Sequence, residues 1–171
     1  GTVGLISQAL GKGDYREIIL VFIRNLILAL FIGIILIIFK QPILFLVEHF
    51  FISSEETQNL ITKYISIRIL SAPAELIIFV IAGLYLGIQK TYISSLMISI
   101  FCIVNVILSV ILVIRYDLEI YGVAVGTTVA AYLAVIIFLI FSYFFFKNKI
   151  KTPITYQKIF KTKKLFNLFN I

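Results

Sequence analysis

The chain has 171 residues, of which 61% are hydrophobic and only 13% charged, and its mean hydropathy is +1.12. Soluble domains use roughly 45–50% apolar residues, so a water-soluble fold has nowhere to hide this excess. A net charge of +7 would suit nucleic acid, but seven of the fifteen basic residues lie in one tail, Lys147 to Lys164, directly behind an apolar run. A cytoplasmic loop keeps its lysines in that position, where they also attract anionic lipid head groups, and no nucleic-acid partner is expected.

Chemistry has little to stand on. Cys102 is the single cysteine and sits inside an apolar run, so no disulfide or cysteine metal site forms within the chain, and it reads as a small packing residue. The single histidine, His49, has no Asp or Ser near it in the pattern a nucleophilic triad needs. No enzyme, metal or cofactor is expected. The chain opens at Gly1 without a basic n-region or cleavage site, so the first residues are not a signal peptide, and both ends read as artificial boundaries.

The first span is predicted over Ile18 to Phe39, which at about 1.5 Å per residue covers a hydrocarbon core of roughly 30 Å. Lys40-Gln41-Pro42 is expected to end it. The apolar stretch from Ile43 to Ile52, interrupted by Glu48 and His49, is too short to cross and should lie in the interface. Ser53-Ser54-Glu55-Glu56 then has a capping-box pattern, with the Ser53 hydroxyl on a helix amide and Glu56 reaching back.

A long second span follows from about Glu56 to Ile88, with Pro73 and Gly83 inside it and a bend expected near Pro73. Gln89-Lys90-Thr91 turns the chain into a third span, Tyr92 to Val113. Arg115 to Glu119 forms the next polar connection, and the fourth span runs from about Tyr121 to Phe146. Its first part, GVAVGTTVAA, carries small residues about four apart, a surface that lets helix backbones approach closely in lipid. Its last part, Tyr143 to Phe146, suits the water interface.

Under alternating crossings Lys12, Arg16, Lys90 and the tail lysines share one side, which the distribution of basic residues makes cytoplasmic, with both ends of the chain there. The opposite side receives Glu48, Glu55, Glu56, Asp117 and Glu119.

Polar groups deep in such spans are functional candidates, because a charge there costs roughly 2.5–3.5 kcal/mol on insertion scales. Asn105 and Ser109 are four apart and share one face of the third span, and Thr127 in the outer half of the fourth is within reach of that face. The plainer reading of these three is interhelical hydrogen bonding worth about 0.6 kcal/mol. Glu75 follows the Pro73 bend near the middle of the second span, as either a neutral hydrogen-bonding acid or a proton carrier. Arg68 lies one face and about 10 Å away by helical rise, so pairing requires both side chains to reach. Arg24 and Asn25, little more than a turn into the first span, read as structural, with Arg24 snorkelling to head groups.

Several segments in order resemble the multidrug and toxic compound extrusion (MATE) transporters, in their DinF-like branch. They are TVGLISQALGKGD, YISIRILSAPAELIIFVIAGLYLGIQK, NVILSVILV, IYGVAVGTTVA and LFNLFNI. The resemblance implies an all-α integral membrane fold, with residues 1–146 as part of a six-helix amino-terminal lobe and 147–171 as the basic linker to a second lobe of the same protein. Helix one, most of helix two and that second lobe would lie outside this chain. The function implied is antiport by alternating access, exporting amphipathic or cationic small molecules in exchange for H+ or Na+ across the cell inner membrane.

The resemblance also implies a coupling-ion role for Asn105 and Thr127, which match the family's polar set. Ser109 stands where the family has an Asp and cannot carry a titrating proton, so Glu75, where the family commonly has a small residue, is a candidate replacement. A lipid-linked sugar flippase of the same superfamily is one alternative, and an inactive truncated membrane fragment is another.

Overall fold

The computed structural model describes residues 2–50 and 54–147, and among these every regular element is an α-helix. In chain order they are α1 (Thr2–Gly11), α2 (Tyr15–Ile38), α3 (Lys40–Phe50), α4 (Glu55–Gly87), α5 (Thr91–Tyr116) and α6 (Glu119–Lys147). Four of them, α2, α4, α5 and α6, are long and apolar enough to cross a membrane. They coincide with the four predicted spans to within three residues at each end. The tail lysines from Lys149 onward lie outside the described residues.

Local chemistry explains most of the boundaries. Asp14 caps α2, its carboxylate accepting from the Glu17 amide at 3.0 Å, and the Asp14-x-x-Glu17 spacing is itself a capping signal that sequence reasoning passed over. The first span ends directly before Lys40-Gln41-Pro42, as expected, but these three residues open a new helix. The chain leaves α2 at Phe39 and re-enters a helix at Lys40, so Pro42 occupies the first turn of α3, where a missing N–H breaks no helical bond. Ser54 caps α4, its hydroxyl meeting Thr57 Oγ1 at 2.9 Å and no helix amide, while Ser53 lies outside the described residues. The expected connection Arg115 to Glu119 shrinks to Asp117 and Leu118, because Asp117 takes the left-handed conformation (φ 54°) that closes α5.

The core sits where α1, α2, α4 and α6 meet. Ile6, Ile18, Ile81, Leu84 and Tyr85 are fully buried there, with Phe138 and Phe146 from the far end of α6. The Tyr85 hydroxyl meets Ser142 at 3.1 Å, so the one polar atom of that large buried ring is satisfied. Arg24 is 4% exposed and ends 3.9 Å from Glu17, nearer the start of the same helix. Asn25 beside it donates to the Val21 carbonyl at 2.8 Å and accepts from Thr2 at 3.0 Å.

Two glycines set the helix crossings. Gly33 on α2 lies so close to Pro73 on α4 that a side chain at Gly33 would collide with the proline backbone and ring. On α6, a Cβ at Gly126 would lie 2.8 Å from Ser109 Oγ and 2.9 Å from Ser109 Cα on α5. The small residues read from the sequence therefore do bring α6 against α5, and Ala130, Ala131 and Ala134 continue the buried face. Pro73 sits within a continuous α4, and two α6 hydroxyls reach carbonyls in the turn before it: Thr128 to Ile67 at 3.5 Å and Tyr132 to Leu70 at 2.9 Å.

Candidate functional site

Outside that core, α4, α5 and α6 diverge and leave a cleft of about 260 Å³, lined by Arg68, Glu75, Ile78 and Phe79 from α4, Ile98, Phe101, Cys102 and Asn105 from α5, and Thr127 from α6. Of the four sequence candidates, Glu75, Asn105 and Thr127 line it, and Ser109 stands one helical turn beyond Asn105. Cys102, expected to be a packing residue, is exposed on its wall.

One wall carries a charged cluster built entirely on α4. Arg68 Nη1 donates to Glu75 Oε1 at 2.6 Å and to Ser71 Oγ at 2.9 Å. Ser71 Oγ, fully buried, lies 2.8 Å from the same carboxylate oxygen and 2.7 Å from the Arg68 carbonyl, so its one proton is shared between them. Seven-residue spacing puts Arg68 and Glu75 two turns apart, and both side chains close that gap as the sequence required. Ser71 is the member of this cluster that sequence reasoning missed. Its signal was positional, three residues after Arg68 and four before Glu75, hence on their face.

The facing wall is neutral and spans two helices. Asn105 Oδ1 accepts from Ser109 Oγ at 3.1 Å and from Thr127 Oγ1 at 2.9 Å, while Thr127 also reaches the Val123 carbonyl at 2.9 Å. The structure thus brings together the three residues that sequence reasoning grouped, by way of the Gly126 crossing directly beside Thr127. What the arrangement offers chemically is a neutral oxygen-rich cluster on one side and a compensated ion pair on the other, joined by apolar and aromatic wall.

Comparison with known proteins gives the setting for this cleft. The MatE family model matches residues 1–111. DNA damage-inducible protein F of Escherichia coli is 31% identical over 139 residues, which are 81% of this chain and 30% of that protein. Multidrug export protein MepA of Staphylococcus saprophyticus is 29% identical over 147 residues, 86% of this chain and 32% of that protein. The MepA of Staphylococcus haemolyticus is 30% identical over 144 residues, 84% of this chain and 31% of that protein. The chain therefore spans about a third of the length of these relatives. No solved structure matches it significantly. With four apolar spans in the order those segments require and a family model covering well over half of it, the chain belongs to the MatE family of multi-pass membrane transporters.

Proposed function

We propose that the chain supplies four spans of one lobe in a two-lobe secondary exporter of amphipathic or cationic small molecules, driven by exchange for H+ or Na+. Its ends face the cytoplasm from the cell inner membrane, in keeping with the basic residues of the α1–α2 and α4–α5 turns. The MepA relatives are named multidrug export proteins, which supports the substrate class. The observation that carries the reading is the cleft, in which Glu75 shares one space with Asn105 and Thr127. In this reading Asn105, Ser109 and Thr127 stand in or beside the ion site, and Glu75 supplies the acid that Ser109 lacks.

A flippase for lipid-linked sugars would want uncompensated cations facing the cavity. Arg24 is buried against Glu17 and Arg68 is paired with Glu75, which favours the exporter.

The test is proton-driven efflux from proteoliposomes containing the natural protein. Glu75→Gln keeps the size and hydrogen bonding of the side chain but removes its titration, so efflux should collapse while substrate still binds, and adding Ser109→Asp should restore part of it. Unchanged proton-driven efflux in Glu75→Gln would move coupling away from this cleft or to sodium.

A further inference from the structure

Pro73 divides α4 into two arms that are held differently. The second arm, from Ala74 to Gly87, is fixed in the core: Ile81, Leu84 and Tyr85 are fully buried, the Tyr85 hydroxyl meets Ser142 on α6, and Ser7 on α1 donates to the Gly87 carbonyl at 3.1 Å. The first arm, from Glu55 to Ala72, is tied by side chains that reach single atoms. Gln58 Nε2 donates to the Glu48 carbonyl at 2.8 Å and joins the arm to α3, and the Tyr132 hydroxyl on α6 donates to the Leu70 carbonyl at 2.9 Å. Thr128, one turn before Tyr132, reaches Ile67 only at 3.5 Å and lies closer to the Ala124 carbonyl of its own helix, at 2.8 Å, so Tyr132 makes the stronger tie. Between the arms the backbone is weakest. Proline brings no N–H to the carbonyl four residues back, here that of Ile69, and its ring pushes that carbonyl aside, so a helix bends there before it bends elsewhere. Gly33 of α2 packs against Pro73 at this point. The Leu70 carbonyl that Tyr132 meets is also, by helical register, the acceptor for the Ala74 amide on the far side of the proline. One carbonyl thus has two donors, one on α6 and one across the bend.

We propose that Pro73 is the hinge of a two-armed α4, with Gly33 as its fulcrum, and that the Tyr132 hydroxyl is a latch holding the first arm, with α3 attached, against α6. Released from Tyr132, the Leu70 carbonyl is not orphaned, because the Ala74 amide takes it up as the helix straightens. The exchange runs between two bonded states, which is what a two-state element inside a membrane requires, since an unpaired backbone group there costs heavily. The contacts of Arg68 and Ser71 with Glu75 cross the hinge and limit its swing to the reach of those side chains, so the charged cluster holds in both states. The latch needs no coupling ion and no particular cargo, and it stands apart from the exporter reading.

Distances between paired spin labels test the latch in the natural protein in nanodiscs, in a cysteine-free background that includes Cys102→Ser. Labels at Glu56→Cys and Tyr121→Cys read the starts of α4 and α6, and labels at Lys90→Cys and Lys147→Cys read the opposite ends. Double electron–electron resonance should give two distances for the first pair and one for the second. Tyr132→Phe removes the latch and keeps the ring, so it should shift the first pair about fivefold toward the longer distance, the worth of one hydrogen bond, and leave the second pair where it was. Pro73→Ala restores the missing N–H and should leave a single distance at the first pair. The unmoved second pair reports that the core is intact in each variant, which separates a released latch from a loosened fold. A single distance at the first pair, the same in the parent, Tyr132→Phe and Pro73→Ala, would overturn the proposal, and so would second-pair distances that move in step with the first, because α4 would then be one rigid rod.

Discussion

The two walls of the cleft solve the same problem in opposite ways. On α4, Arg68, Ser71 and Glu75 satisfy one another within a single helix, so the cluster depends on helical periodicity and survives whatever its neighbours do. On the other wall, Asn105 depends on Thr127 from a different helix, and the contact exists only because Gly126 lets α6 close on Ser109. Charge was kept where the backbone guarantees a partner, and neutral groups were left to bond between helices. An unpartnered charge in a membrane span costs several times what an unpartnered amide or hydroxyl does, so this distribution puts the costlier failure where it cannot occur through helix movement.

The largest effect should come from the crossing. Gly126→Leu drives a side chain into the Ser109 backbone, and we expect about 3 kcal/mol of destabilisation, at the upper end of overpacking costs. Thermal unfolding in nanodiscs reads it, and a melting temperature equal to that of the parent would show that the α5–α6 contact does not fix this wall. Next in size is the charged wall. Arg68→Met leaves Glu75 without its cation and should cost about 2 kcal/mol, less the share screened at a pair more than a quarter exposed. The double variant Arg68→Met/Glu75→Leu should cost less than Arg68→Met alone, because no charge is left behind. Additive losses would contradict the self-contained pair. Smallest is the coupling between Asn105→Ala and Thr127→Val in a double-mutant cycle, expected near the average of about 0.6 kcal/mol for interhelical bonds in membranes. A value indistinguishable from zero would mean that the 2.9 Å contact holds nothing together.

Much of this molecule was legible before any coordinate. Apolar runs of sufficient length dictate the four spans, because a segment that long has no other solvent, and α2, α4, α5 and α6 follow them closely. The pairing of Arg68 with Glu75 was legible as an option, since a seven-residue separation leaves them on one face with a gap that two long side chains can close. The small residues of α6 announced a close crossing, and Asp14 and Glu17 announced a cap that went unread.

The tertiary structure decided the rest, for a physical reason common to every case. Helical periodicity fixes which residues of one helix are neighbours, but it says nothing of which turn of one helix meets which turn of another. That register is set by where the glycines let backbones touch, at Gly33 against Pro73 and at Gly126 against Ser109. It decided that Thr127 meets Asn105 and that Cys102 faces a cleft when it was expected to pack. It also gave Arg24 a partner, Glu17, that the sequence reading had not assigned to it.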